Sequence, residues 1–531
     1  MKKLFLSTFM LSVYAISLFA QNAKSAAELK KGDPLKDYLR PSLSVIYLDR
    51  GESLSNRLIA QMAENGIPGK FDDNSVEHNV LSIKGDVSEE YLRQALEEHA
   101  TKEIMYRWLP EFDREKGEWS LAVVHERGRY NASDADFISA AASDLGESIL
   151  KDRGLDMLNR SYIVVYDFYD TQKISANDSE GYSTNCNVYL YHLDWSDEMR
   201  SAFDVNFDNP NAIEELTFPV KFVGSIIGKS NLTPVKITQS NAGSRMSDEK
   251  LFQAFTKEIE KAADVYLTQI NEDFRVKSTL FATSPLRAKI GTKEGVTVDQ
   301  RYYVYERRLS TAGLETAKRK GVVRATSKIV KNDTIASGEG GTTKFYQTYG
   351  LKLHEGMTMQ QKADWGVGIT ARGGTDISIL GEFSVGMWLG KLLPSMQNLK
   401  VPYGSKMYIR LDVPLSPMQD ENGNKYLNEE EEMLNLMFAV GISKDFYFAR
   451  QISFTPFVGV TSLIQTESTK DKIEELSEQL NKSTSNIEIG ANLSFAILDN
   501  LQIVGSASYN GLKDAYFAEP MAWGIGLRLQ F

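Results

Sequence analysis

Met521-Ala-Trp-Gly-Ile-Gly-Leu-Arg-Leu-Gln-Phe531 ends the chain. Side chains of an extended strand alternate between two faces. Met521, Trp523, Ile525, Leu527, Leu529 and Phe531 therefore share one face, and Ala522, Gly524, Gly526, Arg528 and Gln530 share the other. Seven stretches upstream repeat this pattern, around 365–372, 377–389, 407–413, 434–442, 452–460, 487–497 and 501–509. Eight such stretches predict an eight-stranded antiparallel transmembrane β-barrel over 361–531, with the even strand number of single-chain bacterial barrels. A soluble β-sandwich has the same alternation but would put its charges outward. Here the charges lie on the Gly- and Ser-rich face: Arg372, Glu382, Arg410, Asp412, Glu488 and Arg528. Eight strands enclose an interior that side chains fill. These six groups are therefore expected to form ion pairs in the lumen, because an unpaired buried charge is strongly destabilising.

Loop lengths agree in part. The connections at 416–432 and 466–484 are long, while those at 373–375 and 498–500 are tight. If the first strand rises from the periplasm, both long loops fall outside the cell, and the tight turn 498–500 falls on the periplasmic side. The connection after Leu389 is long yet periplasmic. The terminal Phe531 resembles the end signature of bacterial outer-membrane barrels. That resemblance implies that the last strand is the assembly signal read by the barrel-assembly machinery.

The first twenty residues, MKKLFLSTFMLSVYAISLFA, have two lysines before an apolar run and polar residues after it. This is a secretory signal layout, with cleavage expected near Ala20. The run is interrupted by Ser7, Thr8, Ser12 and Ser17, which favours a cleaved leader over a membrane anchor. The expected location is the bacterial outer membrane, with the N-terminal part in the periplasm. The net charge of −11 becomes −13 without Lys2 and Lys3. That balance argues against nucleic-acid binding, which Lys and Arg dominate. A single cysteine, Cys186, excludes an intrachain disulfide framework and paired-cysteine zinc motifs.

Residues 21–280 read as a mixed α/β periplasmic region of one or two domains. A helix is expected after Asp86, with Leu92, Leu96 and His99. Ser120–Val124, Tyr162–Tyr166, Asn185–His192 and Phe218–Ile227 read as strands. Helices are expected over Ser133–Leu150 and Ser247–Phe274, the latter with Leu251, Phe255, Ile259 and Tyr266 along one face. Residues 281–360 form a small β-rich domain, its strands around Ala288–Gly291, Arg301–Tyr305 and Gly321–Ala325. The phrase Gly291-Thr-Lys-Glu-Gly-Val-Thr-Val-Asp-Gln-Arg-Tyr-Tyr-Val-Tyr-Glu306, followed by Gly321-Val-Val-Arg324, resembles the C-terminal domain of the flagellar assembly T protein family. Asp299-Gln300 stands where that family has Gly-Asp. The resemblance spans about 285–355 and implies envelope scaffolding without catalytic residues. A leader ending Phe-Ala-Gln, the barrel and a Tyr- and Asn-rich style resemble outer-membrane proteins of Bacteroidota.

Few constellations carry chemistry. Asp204, Asn206, Asp208 and Glu215 stand at positions 1, 3, 5 and 12 of a calcium loop, but Asn209 replaces its glycine. The loop 416–432 holds Asp420, Glu421 and Glu429 to Glu432, which could bridge divalent cations on lipopolysaccharide; a solvated loop is the plainer reading. Ile473, Leu476 and Leu480 space like a short amphipathic helix that meets a partner or folds onto the loop. His192 and Asp194 share a face, but two residues do not make a metal or acid/base site. No histidine follows His354, so the barrel holds no histidine-dependent site. No cofactor and no catalytic residue is expected. The sequence points to a scaffold whose periplasmic domains bind an envelope protein, with a channel or a tethered periplasmic enzyme as alternatives.

Overall fold

The computed structural model describes residues 40–83, 85, 87–131, 154–176, 179–227, 235–240, 246–309, 315–332, 341–362, 364–387, 401–419, 425–426, 436–464, 470–480, 482–517 and 520–531. The leader, the expected helix Ser133–Leu150, Asp86 and the acids Asp420, Glu421 and Glu429 to Glu432 lie outside them.

The first unit is a mixed sheet between two helical layers. Ser42–Asp49 is buried on both faces, as a central parallel strand requires. It runs parallel to Asp72–Asp73, Val80–Ser82 and Ser161–Ala176. Ser179–Leu193 then pairs antiparallel with Ser161–Ala176, and Val220–Ile226 and Val235–Ser240 line its outer edge. On one face, helices Ser53–Asn65 and Asp248–Ile270 pack Leu58, Met62, Phe252, Phe255 and Ile259 against the sheet. On the other, helices Glu89–His99 and Thr101–Trp108 pack Leu92, Leu96, Ile104 and Trp108. Two sequence expectations need correcting. The helix expected after Asp86 is capped by Ser88, whose hydroxyl accepts the Tyr91 N–H. Ala122–Asn131 is a helix, so Ser120–Val124 is not a strand and His125 is helical. Its β-branched pair Val123-Val124 has strand propensity, but packing of Val124 into the core overrides it.

The second unit is a closed six-stranded barrel. Its strands run in the order Lys277–Thr283, Leu286–Ala288, Thr343–Gly350, Glu315–Ala325, Arg301–Leu309 and Thr358–Gln361, the last pairing back with the first. Val276, Leu280, Tyr302, Val304, Val323, Phe345 and Met359 fill it.

The third unit is a closed antiparallel barrel of eight strands: β1 (Val367–Gly374), β2 (Asp376–Ser384), β3 (Ser405–Pro414), β4 (Leu436–Lys444), β5 (Ile452–Ile464), β6 (Ser485–Ala496), β7 (Leu501–Asn510) and β8 (Met521–Gln530). β8 pairs with β1 to close the cylinder, Gly368 opposite Gln530 and Gly374 opposite Gly524. The second strand stops at Ser384, and 385–387 turn helical. The alternation sorts the two faces. Ile525 is 66 % exposed, whereas Arg528 on the other face is 1 % exposed. Ten residues at ~3.3 Å each, tilted by ~40°, rise about 25 Å, the height of a lipid-facing apolar band. No described helix is long and apolar enough to cross a membrane.

Phe255 is fully buried between Tyr182 and Phe252 in the first unit. Phe255→Ala should lower the stability of that unit by about 3–5 kcal/mol. Urea unfolding of the full chain followed by near-UV circular dichroism measures the loss, and the barrel's heat resistance should not change.

Candidate functional site at the barrel mouth

The strands carry the lumen charges on alternate positions, and pairing register brings them face to face. Arg410 donates to Asp412 (2.7 and 2.8 Å) and to Glu488 (2.5 Å). Arg372 lies 3.8 Å from Asp412 and donates to Ser506 (2.6 Å). Arg528 pairs with Glu382 at 2.6 Å. The structure thus joins all six sequence-predicted lumen residues into pairs. It adds four that alternation alone did not single out. Lys406 lies 2.8 Å from Asp445 and 3.6 Å from Glu382, and Lys513 donates to Asp376 (2.8 Å). These four sit at strand ends and in connections, where a two-residue period is no longer readable.

Five cations (Arg372, Lys406, Arg410, Lys513, Arg528) therefore meet five anions (Asp376, Glu382, Asp412, Asp445, Glu488). Tyr408 lies among them and donates to Glu488. Its ring crosses the lumen because Gly441 and Gly459 face it; a Cβ at Gly441 would meet the ring at 2.6 Å, and one at Gly459 would meet the hydroxyl at 2.4 Å. Side chains fill this interior, as the strand number requires.

Both ends are covered. On the far side, Met418, Met437, Leu463, Ile473, Leu512, Tyr516 and Phe517 form a small core over the mouth. The helix Lys470–Leu480 turns Ile473 into it, so that apolar face folds inward. On the near side, the six-stranded barrel docks on every domain-side connection. Asp299 accepts the Gly404 N–H (2.7 Å), the Tyr346 hydroxyl (2.9 Å) and the Ser384 hydroxyl (3.3 Å). The Tyr346 ring packs against Tyr403 (4.8 Å) and Tyr447 (5.5 Å). Tyr303 donates to Asp499 (2.6 Å), Arg319 to the same carboxylate (3.1 Å), and Tyr349 to the Ile497 carbonyl (3.3 Å).

Asp364 fixes the link between the two barrels. It accepts from Arg324 (2.5 Å) and from the Gly366 N–H (3.0 Å), with Arg301 at 3.7 Å. Burial pushes its carboxyl up, but the two guanidinium groups outweigh that and hold it below the usual range. At Asp299 burial prevails over Arg324 and the Gly404 and Tyr346 donors, so its carboxyl is raised. Asp299 also has φ +66°, the left-handed conformation that glycine adopts without strain. Asp299 is thus a carboxylate held in a glycine-like backbone by its three donors. A cavity of about 40 Å³, room for about one water, remains between the two barrels, lined by Asp299, Asp364, Lys406 and Tyr447.

The other sequence candidates are spent on structure. Asp204 lies in the helix Asp197–Val205, Asn206 donates to the Ala202 carbonyl (2.8 Å) and Asn209 caps the helix Pro210–Glu215, which holds Glu215. The segment with Asp208 is a helix–turn–helix and not a calcium loop, because its amides cap helices. Among the described residues no three His, Cys, Asp or Glu converge as a metal site. His192 Nε2 lies 2.8 Å from the Asn159 carbonyl, and its ring sits tilted 4.9 Å from that of Tyr162. It opens on a wide polar cleft of about 700 Å³ with Asp156 and Asp273 in its lining. Asp194 pairs instead with Lys221 (2.8 Å). Burial pushes the Cys186 thiol well above its ordinary range, so it is inert.

No family model matches the chain. No curated protein matches it either. Among solved structures, it is similar to the outer membrane protein Ail of Yersinia pestis at 13 % identity, covering 31 % of this chain and 97 % of that one, with TM-score 0.19. It is similar to the NanC porin at 9 % identity, covering 48 % and 99 %, with TM-score 0.14. OmpT, an outer membrane protein of Vibrio cholerae, follows at 6 % identity, 70 % and 95 % coverage, and TM-score 0.13. At such scores the membrane reading stands on the closure, strand count and sorted faces of this chain alone.

Arg410→Met leaves Asp412 and Glu488 without their shared cation and should destabilise the barrel by about 3–5 kcal/mol. Adding Glu488→Gln, which keeps Asp412 for Arg372 and the count of charges equal, should restore much of that loss. The temperature at which the folded band disappears on an unboiled gel measures both.

Proposed function

We propose that this chain is an outer-membrane anchor that holds its α/β unit in the periplasm, where that unit binds a protein of the cell envelope. One observation carries the proposal: a barrel filled by its own balanced charges and covered at both mouths, with a folded unit docked on it. Such a body fixes position and passes nothing. The topology agrees with this orientation. Both chain ends of the barrel and two of its three near-side connections, 445–451 and 497–500, are short. The far side carries the long connections 415–435 and 465–484, as extracellular loops do, while 385–404 on the near side is equally long and the far-side turn at 375 is a single residue. Phe531 closes the last strand, donating its N–H to Val367 and accepting from Trp365 (2.9 and 3.1 Å), in keeping with an assembly signal read by the barrel machinery.

In this reading the chain is not an enzyme, uses no cofactor and does not bind nucleic acid; its partners are outer-membrane lipid and an envelope protein. The cleft at His192 favours a second reading, a tethered periplasmic enzyme. Against it, His192 is engaged by a backbone carbonyl and not by either lining acid.

The purified protein in planar bilayers should give no steady conductance, and it should run at a different apparent mass when unheated. Deleting Phe531 should weaken that shift in cells. Steady single-channel currents would overturn the closed-anchor reading. In-cell crosslinking from the α/β unit should recover a defined envelope protein, and recovery of none would count against the scaffold role.

A further inference from the structure

The near-side rim of the eight-stranded barrel is unevenly apolar. After β4 the chain leaves the wall as a short strand, Phe446–Ala449, folded against the start of β5. Phe448 near its tip is 70 % exposed, more than Ile525, the most exposed large apolar side chain of the wall. Its ring lies 6.1 Å from that of Phe454. The neighbouring turn adjoins it, since the Ala496 N–H donates to the Gln451 carbonyl (2.8 Å). That turn contributes the exposed Leu498, and Phe495 stands opposite Ile452 across the strands. The patch is therefore continuous with the wall that faces lipid.

Charge on this rim is sorted by direction. Each of the two turns has a single acid, Asp445 in 445–451 and Asp499 in 497–500. Both turn inward and are taken by Lys406 and Arg319. One cation lies on the outer surface: Arg450 is exposed at the tip of the turn. Lys444, at the end of β4, buries its ammonium beneath the rim, 4.1 Å from the Tyr403 ring and 5.4 Å from that of Phe446. The surface left outward is aromatic, with Arg450 as its exposed cation. Aromatic rings belong at headgroup depth, and basic groups there attract anionic lipid.

We propose that this rim is a binding site for an anionic glycerophospholipid of the periplasm-facing leaflet. Phe446 and Phe448 enter the boundary of the acyl chains, and Arg450 takes the phosphate. The site rests on the membrane reading above and adds to it a lipid class and a place. It also sits beside Tyr447, whose ring packs against Tyr346 of the docked unit, so a bound headgroup would brace that junction.

The test uses the full-length protein in detergent micelles, titrated with phosphatidylglycerol or phosphatidylethanolamine and read by native mass spectrometry. Wild type should retain the anionic lipid about fivefold better. The double variant Arg450→Gln, Phe448→Ala should lose that preference while keeping the gel shift of the folded barrel. Equal retention of both lipids by wild type, or an unchanged preference in the folded variant, would overturn the site and leave the patch to a protein partner. A wild-type protein with no gel shift, and no insertion into vesicles of either lipid, would instead overturn the membrane reading and this site with it.

Discussion

Charged side chains inside an eight-stranded cylinder have neither bulk water nor lipid to solvate them, so each needs its counter-charge within the wall. In this barrel the requirement is met by a column that runs from Asp445 and Lys406 near the docked unit, through Glu382, Arg528, Arg410 and Glu488, to Asp376 and Lys513 at the far end. The column ties β1, β2, β3, β6 and β8 together across the interior. Wall hydrogen bonds close the cylinder, but the ion pairs stop it from collapsing or flooding.

The same constraint explains the mouths. A charged column that ended in open water would compete with solvent at its last pairs. Here the near end is continued by Asp299, Asp364, Arg301 and Arg324 of the six-stranded barrel. The far end is roofed by apolar side chains from three connections. Docking and filling are thus one electrostatic problem solved over two units. The link at Lys362–Gly366 is consequently short and pinned, its backbone bonded to Arg301 and Phe531.

Rigidity of this kind suits a function of placement. The α/β unit meets the six-stranded barrel where Gly69 lies against the Lys293 carbonyl, so that a Cβ there would stand 3.1 Å from it. The proposed scaffold role would use such docking to present a surface at a set height and angle.

Much of the architecture was legible in the residues. Period-two alternation marked all eight wall strands, since burial of one face and exposure of the other leaves a direct trace in composition. It also marked Arg372, Glu382, Arg410, Asp412, Glu488 and Arg528 as inward, because charge on a Gly- and Ser-rich face has one sensible direction. Lys406, Asp445 and Lys513 were not legible, because strand ends carry no period. Ser120–Val124 was misread because two valines look like a strand until the core they enter is known. The calcium spacing of Asp204 to Glu215 was equally blind to the helix caps that use its amides. By itself the sequence determined the wall strands and the sign of each face, since these follow from local alternation. Which charges pair, that Asp299 takes a glycine's backbone to join two barrels, and that both mouths are covered were decided only by tertiary structure, because they bring together residues far apart in the chain.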